Sequence, residues 1–173
     1  MPIQHAADGI LKKMGRRTNQ EELRERIAQI REAIPDICLR TTLISGFPGE
    51  TQEDFEELYN FVDEMEFDRL GVFPYSREEG TPAAEMPDQV PQEIKESRRD
   101  ELMELQQEIA FEKAESMQGR TIRAMIEGKV EDENAYVART YTDAPGVDGL
   151  LCITQTIPLR PVHSVTSRVT GFD

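Results

Sequence analysis

Cysteine is scarce in this chain. Cys38 and Cys152 are the only two, and no pair has the C-x-x-C spacing that a zinc or iron–sulfur site calls for. No metal site is expected, and two buried, free thiols in a reducing compartment are. Long apolar runs are absent as well, so no membrane-spanning helix is expected. The opening Met1-Pro2-Ile3-Gln4-His5 has no basic segment followed by an apolar stretch, so no secretory leader is read there. These absences together point to the cytoplasm. Positive charge is also in short supply. Lys and Arg number 20 against 34 Asp and Glu, a net charge of −14. Most of such a surface repels nucleic acid and attracts a basic protein, although ordinary solubility asks for the same excess.

What is present is enough for a core: 38% of the 173 residues are hydrophobic, which allows one large domain or a medium one with a small one. Residues 1–18 read as a strand end, a loop and a short helix. Leu23, Ile27, Ile30 and Ile34 form one stripe of an amphipathic helix over Gln20–Ile34, which Pro35 and Asp36 stop. Ile37–Ile44 reads as a strand covered on both faces. Thr51 and Asp54 have the spacing of a capping box at the start of a helix with Phe55, Leu58, Tyr59, Val62 and Met65 on its inner face. Arg69–Tyr75 reads as a further strand. Helix, strand, helix, strand in this order predicts βα units on a parallel sheet. A loop over 76–90 leads to a long helix at about 91–118, with Pro91 at its start, Ile94, Leu102, Leu105, Ile109 and Ala110 on its apolar face, and Gly119 as its cap.

After Gly119 the texture changes. Thr121–Ile126, Tyr136–Tyr141, Leu150–Thr154 and Ser164–Val169 read as four short strands of a small antiparallel barrel or sandwich. The predicted division is therefore 1–119, α/β, and 120–173, all-β. About three strands are too few for a self-sufficient parallel sheet, and only Phe172 and Asp173 follow Gly171. The chain thus reads as a fragment cut at both ends, or a reduced homologue.

The stretch from Arg40 to Glu50 is the most informative. An apolar strand runs into Gly46-Phe47-Pro48-Gly49 and then a helix start, and ligands of α/β sheets sit at the C-terminal ends of strands. Gly46 and Gly49 permit close backbone approach, and free N–H groups at the helix start favour an anion. A plain strand-to-helix turn fits the same residues.

Gly46-Phe47-Pro48-Gly49-Glu50-Thr51, with Leu43 and Ile44 before it, resembles the adenine-contacting strand of radical S-adenosylmethionine (SAM) enzymes, in the form found in the methylthiotransferases. Pro2 to Asp8, with Ile10, Leu11, Met14, Arg16 and Arg17, is similar to that family's fourth barrel strand and the segment after it. Val72 to Ala83 resembles its sixth strand and loop. The resemblance implies the C-terminal part of a radical SAM (β/α) barrel in 1–119. It implies an OB-like TRAM barrel, truncated at its end, in 120–173. Tyr136 to Gly149 is similar to the branch that modifies an aspartate of a small-subunit ribosomal protein. His163, after Arg160-Pro161-Val162, departs from the family and reads as an exposed loop histidine; Gly146 stands where the family often has an acid.

The resemblance also implies SAM and two [4Fe-4S] clusters for the full-length protein. One cluster, on a CxxxCxxC motif, would generate a 5′-deoxyadenosyl radical, and the other would carry the transferred sulfur. Those cysteines are absent from this chain, so no metal ligand and no catalytic residue is assigned here, and the chain alone is expected to be inactive. The implied cofactor-binding residues are Gly46, Phe47, Pro48, Gly49, Glu50, Arg40, Gln4 and His5. Tyr75, Ser76 and Arg77 form a substrate or cofactor loop, while Glu78 and Glu79 read as a solvated acidic rim.

Two alternatives stand beside this reading. One is the relative that modifies adenosine in transfer RNA; the other is a non-catalytic acidic module that docks a basic partner. Residues 120–173 carry a net charge of −1, which leaves −13 on 1–119. An RNA-gripping TRAM domain would carry a basic face, so a basic ribosomal protein is the expected partner and RNA is disfavoured.

Overall fold

The computed structural model describes residues 1–131, 133–148, 150–154, 158–161 and 163–171; the expectations at Gly149, Val162, Phe172 and Asp173 lie outside them. The chain divides into two units, Met1–Lys113 and Ala114–Asp173.

In the first unit, α1 (Asp8–Lys13) and α2 (Gln20–Ala33) lead to β1 (Arg40–Ser45), then α3 (Gln52–Met65) and β2 (Arg69–Pro74). A short 3-10 turn (Pro82–Glu85) precedes the long α4 (Gln92–Ser116). β1 and β2 pair in parallel from Arg40↔Arg69 to Ser45↔Pro74. Gln4 forms a parallel bridge with Leu43 on the other side of β1. The order Gln4 segment, β1, β2 is that of consecutive βα units. β1 begins at Arg40 rather than Ile37 because pairing starts only where the carbonyl of Leu39 receives the amides of Asp68 and Arg69, at 3.0 and 3.2 Å.

Alternation along the strands sorts their two faces. Leu43, Leu70 and Val72 point into one core with Leu23 and Ile27 of α2, Phe55, Leu58, Phe61, Val62 and Met65 of α3, and Leu102, Leu105 and Ile109 of α4. The capping box forms as expected: Thr51 Oγ1 accepts from the Asp54 amide at 3.2 Å, and Asp54 Oδ2 accepts from the Thr51 amide at 2.9 Å. The α2 stripe stops short, because Ile34 lies beyond the helix end and is 53% exposed.

The α4 stripe keeps the expected Leu102, Leu105 and Ile109 and departs from expectation in its first turns. Ile94 is exposed, and the buried positions are Lys95, Arg98, Leu102, Leu105, Gln106 and Ile109. Spacings of three and four make Lys95 and Arg98 the continuation of the Leu102–Ile109 face.

The second unit is a four-stranded antiparallel sheet of order β5-β4-β3-β6, formed by β3 (Thr121–Lys129), β4 (Ala135–Arg139), β5 (Leu151–Thr154) and β6 (Ser164–Arg168). A register shift between Ile126 and Gly128 breaks the ladder in β3, a bulge that bends a strand. The sheet curls over Ala124, Ile126, Tyr136, Ala138 and Ile153. It forms a half-barrel, and β5 and β6 do not pair among the described residues. Buried thiols were expected, but Cys152 is exposed and Cys38 half-buried. The two-residue period of β5 sends Ile153 to the core and so turns Cys152 away. His163 is exposed, as expected.

Candidate functional site

The turn after β1 is organised by one carboxylate. Glu50 is 5% exposed, and its Oε2 accepts from the amides of Gly46 at 2.8 Å and Phe47 at 3.3 Å. Its Oε1 accepts from Arg98 Nη1 of α4 at 2.8 Å. His5, fully buried, stands with Nε2 3.3 Å from Glu50 Oε2. Its Nδ1 accepts from the Ala7 amide at 3.0 Å, which leaves the ring proton on Nε2, a buried atom with no hydrogen-bond partner among the described residues. The anion expected at this turn is thus the chain's own Glu50. The helix start beyond it is closed by the Thr51–Asp54 box, and the Gly49 amide donates to Asp88 O at 2.8 Å.

The two glycines are required, though not by an open approach. Gly46 has φ +70°, and a Cβ there would lie 2.2 Å from Lys95 Cγ; Gly49 has φ +76°, and its Cβ would lie 2.2 Å from Lys13 Nζ. Lysines of the chain itself therefore fill the space in front of both. Lys95 Nζ donates to Tyr75 O at 3.0 Å and lies 4.9 Å from the Tyr75 ring centroid. Burial lowers its pKa from the ordinary 10.5.

Tyr75 packs edge-on against Phe47, with ring centroids 5.3 Å apart, and its buried hydroxyl has no partner among the described residues. Phe47, Tyr75, Ala7 and Ile10 make a small apolar cluster with the half-buried Ile44, Met14, Ala83 and Met86. Pro48 is fully buried. Ser76 Oγ donates to Glu78 Oε1 at 2.9 Å, and Arg77 Nε to Ala84 O at 2.9 Å, which folds the following loop on itself. Glu78 and Glu79 are exposed, as a rim would be.

The sheet face away from the helices carries Arg40, Thr42 and Ile44 of β1 beside Arg69, Gly71 and Phe73 of β2. Ile44 pairs with Phe73, which is 60% exposed, at the C-terminal end of the sheet. The two make an apolar wall directly before the Glu50 turn. Gln4, half-buried with φ +70°, donates its amide to Thr42 O and accepts from the Ile44 amide at 2.9 Å beside that wall. Arg40 is not part of this group: it begins β1, and five residue steps put it roughly 17 Å from Ser45. A cleft of about 480 Å³ between the start of β2 and α4, lined by Arg69, Leu70, Asp100, Met103 and Gln107, also lies at that far end.

Gln4, His5, Ile44, the Gly46–Glu50 turn, Phe73 and Tyr75 are thus brought together. Lys95 and Arg98 join them from α4, which carries none of the expected site residues. The signal was their place on the α4 stripe, where a cation is buried only with a partner.

Residues 1–62 match the Radical SAM superfamily, and residues 119–173 match the TRAM domain. Relatives called "Ribosomal protein uS12 methylthiotransferase RimO" are similar over most of the chain. The one from Lachnoclostridium phytofermentans is 59% identical over 153 residues, 88% of this chain and 35% of the relative. The one from Acetivibrio thermocellus is 49% identical over all 173 residues, 38% of the relative. A third, from Geobacter sulfurreducens, is 50% identical over 155 residues, 89% of this chain and 35% of the relative. The chain thus carries a radical SAM segment and a TRAM domain and is similar to these methylthiotransferases over most of its length. It spans about 35–38% of the length of these relatives.

Two family cofactors can be set against these residues. The nucleoside of SAM fits: a half-exposed aliphatic and an exposed aromatic side chain, at the C-terminal ends of parallel strands, give a base an apolar wall. Iron–sulfur clusters do not fit, since no three His, Cys, Asp or Glu side chains group as ligands among the described residues.

Proposed function

We propose that this chain is the nucleoside-holding and TRAM portion of an enzyme that adds a methylthio group to an aspartate of ribosomal protein uS12. The identity shared over all 173 residues with proteins of that name carries the reading. SAM, when bound, supplies the group chemistry. The residues here hold and orient its adenine against Ile44 and Phe73, with the turn at Gly46–Glu50 as the rim. Gln4, Phe47 and Tyr75 support that wall from behind and beside it. The same seat is proposed for the tRNA-modifying relatives, so the wall does not separate the two branches.

Charge favours the protein substrate. With −13 on residues 1–119 and −1 on 120–173, the net charge favours a basic ribosomal protein over RNA. No helix among the described residues is long and apolar enough to cross a membrane, and the proposed setting is the cytoplasm, where ribosomes are made. The test uses the cluster-loaded full-length protein. It should bind uS12 with an affinity that falls as salt rises, and mass spectrometry should find one methylthio group on an aspartate of uS12. Tighter binding of transfer RNA than of uS12, with methylthio-adenosine as product, would assign the protein to the other branch.

A further inference from the structure

α4 carries two cations where its stripe calls for apolar residues. Lys95 and Arg98 are 7% and 6% exposed and continue the buried Leu102–Ile109 face. A buried cation adds little net stability compared with an apolar residue of the same size. It does impose a geometry, because its partners must stand at hydrogen-bond distance from a fixed backbone.

The partners here are the ends of both strands. Lys95 Nζ holds Tyr75 O, one residue past the end of β2, while Lys95 O accepts from Ser45 Oγ, which ends β1, at 2.9 Å. The Lys95 stem fills the space in front of Gly46. Arg98 holds Glu50 through Oε1 and, at 3.3 Å, through its carbonyl. It also reaches Gln52 Oε1 at 3.4 Å and lies 5.4 Å from the Phe55 ring centroid. Glu50 in turn gathers the Gly46 and Phe47 amides. One face of one helix therefore sets the separation of the two strand ends and the shape of the turn between them.

The geometry points to Lys95 and Arg98 as positioning residues for nucleoside binding. They hold Ile44 and Phe73 in a single plane and the turn at a fixed height, and neither touches the ligand. This role rests on the proposed function above.

The test is the affinity of the cluster-loaded full-length protein for S-adenosylhomocysteine by calorimetry, with hydrogen exchange at Gly46 and Phe47. Lys95→Met and Arg98→Met keep the stems and remove the charges. Each is expected to weaken binding about tenfold or more, with faster exchange at the turn and a folded protein by circular dichroism. Lys95→Arg and Arg98→Lys, which keep the charge, are expected to recover part of the affinity. Folded Met variants that bind within twofold of wild type would overturn the role. If those variants do not fold, Ser45→Ala takes their place, since it removes only the hydroxyl on the Lys95 carbonyl; a few-fold loss supports the role and unchanged binding overturns it. Wild-type protein that binds no S-adenosylhomocysteine would remove the functional reading and this role with it, whereas a binding wild type with indifferent variants removes this role alone.

Discussion

Replacing Glu50 by glutamine keeps the shape of the side chain and removes its charge. The carboxylate is enclosed, with a side-chain exposure of 0%, and the Arg98 side chain beside it is at 8%. Three donors converge on its two oxygens: the amides of Gly46 and Phe47 and Arg98 Nη1, with His5 Nε2 standing 3.3 Å away. In Glu50→Gln one oxygen becomes an amino group, which faces either the guanidinium or the two amides with a donor. Arg98 is then a buried cation without its counter-ion. Breaking one side of a buried pair costs about 3–5 kcal/mol. The lower end applies here because the Glu50 and Gln52 oxygens still accept from Arg98, so about 3 kcal/mol is expected. Urea unfolding followed by far-UV circular dichroism reads this directly, since the helices belong almost wholly to the first unit. The matching fall in melting temperature is roughly 6–12 °C. The double variant Glu50→Gln with Arg98→Met removes both charges and is expected to recover part of the loss. A single-variant loss under about 1 kcal/mol, the range of an exposed pair, would refute the reasoning, because it would mean that water reaches the pair.

Gly46→Ala combines a left-handed backbone with a Cβ 2.2 Å from Lys95 Cγ and should cost more than about 2 kcal/mol. Gly80→Ala, at φ +79° with nothing within 4 Å, should cost only about 1 kcal/mol in the same urea titration; equal losses would show that Lys95 yields freely. Thr51→Ala removes the hydroxyl that accepts from the Asp54 amide and is expected to destabilise the first unit by about 1 kcal/mol, again by urea unfolding. Lys95 has a folded pKa below its unfolded 10.5, so the unfolded chain binds more protons in that window and the stability lost by burying the charge returns as pH rises toward 10.5. The stability of wild type minus that of Lys95→Met is therefore expected to increase with pH over that range, and a flat difference would contradict it.

The sequence made local features legible and left long-range ones hidden. The Thr51–Asp54 box was readable because three residues of spacing fix it. The two strands were readable because each alternates or runs apolar before a turn. Glu50 reads from sequence as an implied cofactor-binding residue, yet its partner Arg98 is 48 residues away, and no local pattern announces that pair. On α4 the expected Leu102, Leu105 and Ile109 are buried, and the departure lies in the first turns, where Lys95 and Arg98 stand in place of Ile94. Ile94 drew the stripe toward itself on hydrophobicity alone, while the three–four spacing through Leu102, Leu105 and Ile109 leads back to Arg98 and Lys95. Phe61 is absent from the expected α3 face because five other residues already fill it, and the helix is buried over a wider arc. Gly46 and Gly49 read from sequence as glycines that let a ligand approach the backbone, whereas the groups next to them in the structure are lysines of the same chain.

The most direct test of the account is a structure of the cluster-loaded full-length protein with S-adenosylmethionine or its homocysteine product. The account predicts the adenine ring against Ile44 and Phe73, within about 4 Å van der Waals contact, beside the unbroken Glu50–Arg98 pair. An adenine seated elsewhere, with Phe73 covered by protein and the Gly46–Glu50 turn remote from the ligand, would contradict it.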